Sequence, residues 1–239
     1  VTLKWGLTKS SNNISAYLMK QYGPHAMADM MRKMGVGSFI DETYSLCVGS
    51  ADLNVYEMVS AYNTFPSKGV FVEPIFVTRI EDSNGNVLGE FNNKKREAVS
   101  EYTAYLMANL MQGVVNSGTG VRLRVKYGLK GEIAGKTGTT NDQSDGWFIG
   151  YTPSLTAGVW VGAEDRQVHF ESLALGGGSN MALPIWGLFM QKVLADGTLG
   201  VYETDRFIAP PGISLNLDCD GSDADAEMKA EEDDSFFFE

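Results

Sequence analysis

The chain has 239 residues, of which 44% are hydrophobic, 11% aromatic and 21% charged, a composition typical of an ordinary globular protein. The net charge of −11 is concentrated near the C-terminus, because residues 218–239 carry −9, which leaves −2 for residues 1–217. A nearly neutral body argues against nucleic acid as a partner, and no apolar run is long enough to cross a membrane.

Apolar residues recur with helical spacing in several segments. We predict helices over 15–22, 24–34, 55–65, 100–115 and 183–195. Gly23 is expected to end the first helix and Pro24 to open the second, while Asn54 and Ser100 are expected caps. In the second helix the methionines fall at i, i+3, i+4 and i+7, which predicts a buried stripe of Met27, Met30, Met31 and Met34.

Alternating, β-branched segments indicate strands. We predict strands over 70–81, 132–137, 147–151 and 155–161, with a return strand that begins at Val87 after the turn residues 82–86. The last two strands should be antiparallel, because only Thr152–Ser154 joins them. Gly176–Gly178 is interpreted as a flexible loop. Helices first, strands last and one closing helix predict an α+β fold.

A Lys-Thr-Gly-Thr run stands at the end of one predicted strand, at Lys136, Thr137, Gly138 and Thr139. The lysine supplies a positive charge for a substrate carboxylate, and the threonine hydroxyls supply donors beside it. The glycine leaves room for a ligand to lie against the strand, where a backbone N–H can face a developing oxyanion. Taken alone, the motif could equally be a solvated turn.

A Ser-x-Asn triplet precedes the first predicted helix in two frames, Ser10 with Asn12 and Ser11 with Asn13. The hydroxyl of such a triplet can relay a proton, and its amide can hold a substrate carbonyl or a lysine. The same residues could simply cap the following helix. Their occurrence together with the Lys-Thr-Gly strand favours the functional interpretation.

These two motifs are two of the three signatures of acyl-enzyme serine transferases that bind penicillin. The third, Ser-x-x-Lys, is absent, because no lysine of the chain has a serine three residues before it. No metal or cofactor is predicted: His25 and His169 are far apart and expected at the surface. Cys47, expected in the core, and Cys219 lack metal or redox spacing, and the sequence leaves a disulfide between them open.

The chain resembles the C-terminal part of the transpeptidase domain of class A penicillin-binding proteins, the bifunctional peptidoglycan synthases. The similarity covers residues 1 to about 210 and rests on the stretches 7–16, 58–65, 118–120, 133–140, 145–153, 158–162 and 182–186. It implies a β-lactamase/transpeptidase-like α+β fold with an antiparallel sheet flanked by helices. It also implies that the N-terminal part of this domain, with the nucleophilic Ser-x-x-Lys, lies before Val1.

The resemblance also assigns roles. The family's Ser-x-Asn is followed by an aliphatic residue, Pro and Ala, and Ile14–Ala16 fits that frame with Ser15 in place of Pro. This favours Ser11 as the proton shuttle and Asn13 as the group that orients the substrate. Lys136, Thr137 and Thr139 would bind the terminal carboxylate of a D-Ala-D-Ala stem peptide or of a β-lactam, and the Thr139 N–H would form half of the oxyanion hole.

By resemblance, the parent protein is a DD-transpeptidase on the periplasmic face of the bacterial inner membrane, anchored by an upstream segment. This fragment alone should be inactive, and its exposed sheet edge should make it marginally stable. The alternatives are a non-catalytic binding or sensor module on the same fold, and a β-lactamase or carboxypeptidase. Residues 211–239 are predicted to form an acidic, disordered tail, with an interaction tail anchored by Phe236–Phe238 as the alternative.

Overall fold

The computed structural model describes residues 1–213, so the tail predicted at 211–239 and Cys219 fall almost wholly outside it and stay predictions. The helices are α1 (Leu3–Lys9), α2 (Asn12–Lys33), α3 (Val55–Tyr62), α4 (Glu101–Ser117), α5 (Arg122–Val125), α6 (Leu173–Gly176) and α7 (Ala182–Ala195). The strands are β1 (Val70–Val72), β2 (Arg79–Glu81), β3 (Val87–Glu90), β4 (Lys95–Glu97), β5 (Ala134–Thr139), β6 (Asp145–Tyr151) and β7 (Thr156–Gly162).

The helices predicted after residue 50 are confirmed, and near the N-terminus one helix was missed and the start of another is corrected. The side chains of Asn54 and Ser100 cap α3 and α4 by accepting hydrogen bonds from backbone N–H groups. Helix α1 was not predicted, and α2 begins at Asn12 instead of residue 15. The break predicted at Gly23 is confirmed, because Gly23 has a non-helical φ of 78° and ψ of 159° and the backbone of α2 kinks there between two helical segments.

The methionine stripe of α2 is only half buried. Met31 and Met34 pack against a small core that contains Leu46, whereas Met27 and Met30 are 37% and 40% exposed. The prediction was wrong for the two exposed residues. Helical spacing shows that side chains share a face, but not how much of that face a neighbouring element covers.

Strands β5, β6 and β7 form an antiparallel sheet in that order, which confirms the predicted antiparallel pairing of the last two strands. Lys136 lies opposite Ile149, and Gly138 lies opposite Trp147. Strand β5 ends at Thr139 and not at residue 137, so the whole Lys-Thr-Gly-Thr run belongs to the strand. It is an edge strand of this sheet within residues 1–213.

Alternate residues of β6 face two different helical layers. Phe148 contacts Trp186 of α7, with ring centroids 5.2 Å apart, and Trp186 Nε1 donates to Ala157 O at 3.0 Å. On the opposite face, the Tyr151 hydroxyl donates to Met111 Sδ of α4 at 3.5 Å. The sheet therefore lies between α7 and the α4 side of the molecule, which confirms an α+β fold with an antiparallel sheet flanked by helices.

Two predicted features differ in the structure. Residues 70–81 hold two short strands and not one: β1 pairs with β4, and β2 pairs with β3. Pro74 lies between them and has no N–H to continue a ladder. The segment Gly176–Gly178 is only partly a loop, because Gly176 ends α6, and all three glycines are buried.

Within residues 1–213, no helix combines the length and apolar character that crossing a bilayer requires. In the same residues, His, Cys, Asp and Glu side chains do not gather in groups that could hold a metal ion. His25 and His169 are exposed, as predicted. Cys47 packs, half buried, against the core around Leu46.

Candidate active site

Helix α1 packs tightly on the C-terminal end of α4. A Cβ added at Gly113 would lie 2.5 Å from Thr8 Oγ1, and one at Gly118 would clash with the carbonyl oxygen of Thr8. Lys9 Nζ also donates to Ser117 O at 3.0 Å. Because two glycines of this region leave room for α1, the turn that follows α1 can lie beside β5.

Ser10 is the residue that this turn brings to the Lys-Thr-Gly strand. Lys136 Nζ donates to Ser10 Oγ at 2.6 Å and to Thr137 O at 2.8 Å. Ser10 ends α1 in the left-handed conformation, with φ 56° and ψ 48°. That conformation costs a non-glycine residue about 1–3 kcal/mol, and such strain clusters at functional positions.

The Lys136 ammonium is largely removed from water, and this burial lowers the pKa of Lys136 to about 8. The two oxygens that it contacts, Ser10 Oγ and Thr137 O, are both neutral, so neither compensates its charge. At neutral pH the group is mostly protonated. A partly desolvated cation with neutral neighbours is well suited to attract the carboxylate of a ligand.

The two threonines of the strand each hydrogen bond to a group outside it. The hydroxyls of Thr137 and Thr119 lie 2.7 Å apart, and either can be the donor. Thr139 Oγ1 accepts a hydrogen bond from Gly178 N at 3.0 Å. Contacts from neighbouring segments therefore fix the positions of both threonine hydroxyls on β5.

The structure brings together only part of the predicted site. Lys136, Thr137, Gly138 and Thr139 are consecutive on β5. Ser11, in contrast, stands at the N-cap position of α2, and Asn13 lies exposed in its first turn. The hydroxyl beside Lys136 is that of Ser10, because the left-handed turn that ends α1 falls there.

The edge of β5 suits a peptide-like ligand that carries a carboxylate. An edge strand offers backbone N–H and C=O groups to an extended peptide. Gly138 keeps that edge free of a bulky side chain, and Lys136 supplies the cation. The Ser10 hydroxyl accepts a hydrogen bond from an ammonium with a pKa near 8, which suits a group that passes a proton on.

Sequence reasoning missed two members of this constellation, Thr119 and Gly178. Thr119 stood in a stretch that carries the family resemblance, but no role followed from its position. Gly178 is part of the segment that is interpreted from the sequence as a flexible loop, because glycine has wide conformational freedom. The signal available in the sequence was the run of three glycines, which also marks places where two backbones approach closely.

Residues 1–167 match a family model described as the penicillin binding protein transpeptidase domain. The chain belongs to this family. Penicillin-binding protein 1A of Aquifex aeolicus is 31% identical to it over 218 residues, which cover 91% of the chain and 28% of the relative. Penicillin-binding protein 1A of Clostridium acetobutylicum is 34% identical to it over 218 residues, which cover 90% of the chain and 25% of the relative. This transpeptidase-domain chain thus spans about a quarter of the length of these curated relatives.

Solved structures of penicillin-binding proteins share the fold of this transpeptidase-domain chain. Penicillin-binding protein 1A of Haemophilus influenzae gives a TM-score of 0.78 at 22% identity, covering 89% of the chain and 36% of its own. PonA1 of Mycobacterium tuberculosis, solved in complex with penicillin V, gives a TM-score of 0.71 at 25% identity. The match covers 89% of this chain and 60% of the PonA1 chain. The α+β arrangement described above is therefore the transpeptidase fold.

Proposed function

We propose that this chain forms the carboxylate-binding side of a peptidoglycan DD-transpeptidase, which cross-links stem peptides through a serine acyl-enzyme. The observation that carries the proposal is the contact of 2.6 Å between Lys136 Nζ and Ser10 Oγ, at the edge of a strand that continues with Thr137–Thr139. A cation, hydroxyl donors and a strand edge are the groups that a peptide ending in a carboxylate requires.

In the proposed reaction, the oxygen of an active-site serine attacks the carbonyl carbon of the penultimate D-alanine. The C–N bond to the terminal D-alanine breaks, and the proton of the serine hydroxyl passes to the amine that leaves, with Ser10 as the relay. The amine of a second stem peptide then attacks the acyl ester, gives up a proton to the serine oxygen as the ester C–O bond breaks, and forms the cross-link. Lys136, Thr137 and Thr139 hold the carboxylate of the donor, and the Thr139 N–H is half of the oxyanion hole.

We assign the proton relay to Ser10 and the orienting amide to Asn12, in place of the frame Ser11 and Asn13 that the sequence favoured. The contact between Ser10 and Lys136 supports this choice. Asn12 is the first residue of α2, directly after the turn that holds Ser10. Ser11 instead directs its carbonyl oxygen to Ser15 N at 3.2 Å within that helix.

The nucleophile of the proposed enzyme lies in a Ser-x-x-Lys segment before Val1, because these 239 residues do not contain one. The chain alone should therefore bind a β-lactam without forming a covalent adduct. The name of the PonA1 complex with penicillin V supports a β-lactam as ligand. A periplasmic location and an upstream membrane anchor belong to the same proposal, supported by the relatives named penicillin-binding protein 1A.

Intact mass spectrometry after incubation with benzylpenicillin tests the proposal. We expect no adduct on the 239-residue chain and one adduct per molecule on a polypeptide extended upstream through Ser-x-x-Lys. That adduct should decay slowly, since rapid decay would indicate a β-lactamase or carboxypeptidase. An adduct on the shorter chain would mean that the nucleophile lies within it.

A non-catalytic binding or sensor module is the second candidate, and the absence of Ser-x-x-Lys from these residues is the observation that favours it. Strand β5, with Lys136, could bind a carboxylate without catalysing a reaction. Reversible binding of benzylpenicillin with no adduct on the extended polypeptide would support this candidate over the transpeptidase.

A further inference from the structure

The segment Gly176–Asn180, here called the glycine loop, packs directly on the Lys-Thr-Gly strand. Gly178 N donates a hydrogen bond to Thr139 Oγ1 at 3.0 Å. Gly178 is buried, whereas Thr139 is exposed at the end of β5. The loop thus contacts the threonine from inside the protein and leaves it open to a ligand on the other side.

This approach depends on glycine at position 178. An added Cβ there would clash with the carbonyl oxygen of Gly138 and lie 2.7 Å from that of Trp147. The neighbouring strand contributes a second glycine, since a Cβ on Gly146 would lie 2.9 Å from the Gly178 Cα. Backbone meets backbone at this point, so the position of the Gly178 N–H is tightly defined.

A residue of α5 holds the glycine loop from outside. Arg122 Nη1 donates to Ser179 O at 3.2 Å and makes a second, short contact with Asn180 Oδ1. Asn180 Nδ2 in turn donates to Leu173 O at 2.7 Å. Because Arg122 is itself exposed, this clamp can be removed without opening the core.

The hydrogen bond from the loop determines how the Thr139 hydroxyl can act. A hydroxyl has one proton to donate, and here its oxygen already accepts from Gly178 N. With that acceptor site occupied, the proton is free to point toward an anion. We propose that the glycine loop, clamped by Arg122, positions Thr139 as a hydrogen-bond donor to the ligand carboxylate. The identity of this ligand rests on the proposed function.

Amide hydrogen exchange on the 239-residue chain tests the contact itself. The Gly178 amide should be protected, and both Thr139→Val and Arg122→Gln should accelerate its exchange by about tenfold or more. Lys126→Gln is the control, because Lys126 directly follows α5, is exposed and lies over the Tyr127 ring. Unchanged exchange at Gly178 in the two variants would overturn the proposal.

A double-mutant cycle tests the consequence for binding, in the polypeptide extended upstream and with benzylpenicillin as probe. Arg122→Gln should raise the apparent dissociation constant before acylation about fivefold, as expected for one misaligned hydrogen bond, with the maximal acylation rate unchanged. In a Thr139→Val background the same substitution should have no further effect. An equal effect in both backgrounds would show that Arg122 acts independently of Thr139 and would refute the positioning role. If even the unmodified polypeptide forms no adduct, the proposed function fails, and amide exchange alone decides the positioning.

Discussion

Lys136 Nζ and Ser10 Oγ lie 2.6 Å apart, although 126 positions separate the two residues in the chain. The contact depends on the close packing of α1 against α4, which places Ser10, in its left-handed conformation, beside Lys136 of β5. It joins the two sequence motifs into one site. Most of what we expect of the site follows from this pair.

Replacing Ser10 separates its chemical role from its structural role. Ser10→Gly removes the hydroxyl but suits the left-handed backbone at φ 56°, so stability should be unchanged or slightly higher. In the extended polypeptide the acylation rate with benzylpenicillin should fall about 10²–10⁴-fold, the usual contribution of a positioned proton-transfer group. Ser11→Ala, the matched control, should retain the rate. A large loss with Ser11→Ala and none with Ser10→Gly would restore the frame Ser11 and Asn13.

The protonation state of Lys136 should govern ligand affinity. Burial lowers its pKa to about 8, so the ammonium is present below that pH and is lost as the pH rises through it. The affinity for a ligand carboxylate should therefore decline between about pH 8 and pH 9.5. Lys136→Arg keeps its charge throughout and should show a flat profile over the same range, even if its affinity is lower. Parallel declines in the two proteins would assign the titration to another group.

Glu57 should stabilise the region before α3 through its ionised form. Its Oε1 accepts from Gly37 N and Ser38 N, and its Oε2 accepts from Ser38 Oγ and Asn54 Nδ2. Burial alone would raise the pKa of Glu57, but these hydrogen bonds outweigh it and hold the pKa below its usual value.

A folded-state pKa below the unfolded one means that this stabilisation is present above the unfolded pKa and disappears as the pH falls through the folded one. Glu57→Gln places an NH₂ group against Asn54 Nδ2 and should lower the free energy of unfolding by about 1–2 kcal/mol at pH 7. Urea denaturation should show this difference shrinking toward pH 3. Glu101→Gln, at an exposed ion pair with Lys68, should change little. A difference independent of pH would contradict a role for the ionised carboxylate.

Trp186 should be a major contributor to the packing of α7 on the sheet. It is fully buried against Phe148 and donates a hydrogen bond to Ala157 O. Trp186→Phe should lower the free energy of unfolding by about 2–3 kcal/mol, because it leaves a cavity and removes that donor. Ile185→Ala on the same helix is the control, since Ile185 is half exposed. Equal losses in the two variants, measured by urea denaturation, would mean that α7 is not buried along this face.

The sequence was informative where one local pattern determined one element. Apolar spacing and a serine cap predicted α4, and a three-residue connection predicted that β6 and β7 are antiparallel. It was less informative where tertiary packing decided the outcome. The residues after the triplet favoured Ser11, but the partner of Lys136 is Ser10, because the choice depends on where α1 ends.

The same limit explains the other differences. Met27 and Met30 have the same periodicity as Met31 and Met34, but no element of the described residues buries them to the same extent. Gly178 stands in a run of three glycines, which is typical of a mobile loop. In the structure, the absence of a side chain there allows a close backbone contact with β5. Contacts between distant segments, such as Thr119 with Thr137, cannot be read from spacing along one chain.

A cross-linking assay tests the proposed transpeptidase most directly. The polypeptide extended upstream through Ser-x-x-Lys would be incubated with a stem pentapeptide ending in D-Ala-D-Ala and with an amine-bearing acceptor peptide, and the products followed by mass spectrometry. We expect one D-alanine released for each cross-linked peptide formed, and loss of both products on Ser10→Gly but not on Ser11→Ala. Release of D-alanine with no cross-link, or neither product, would contradict the transpeptidase assignment.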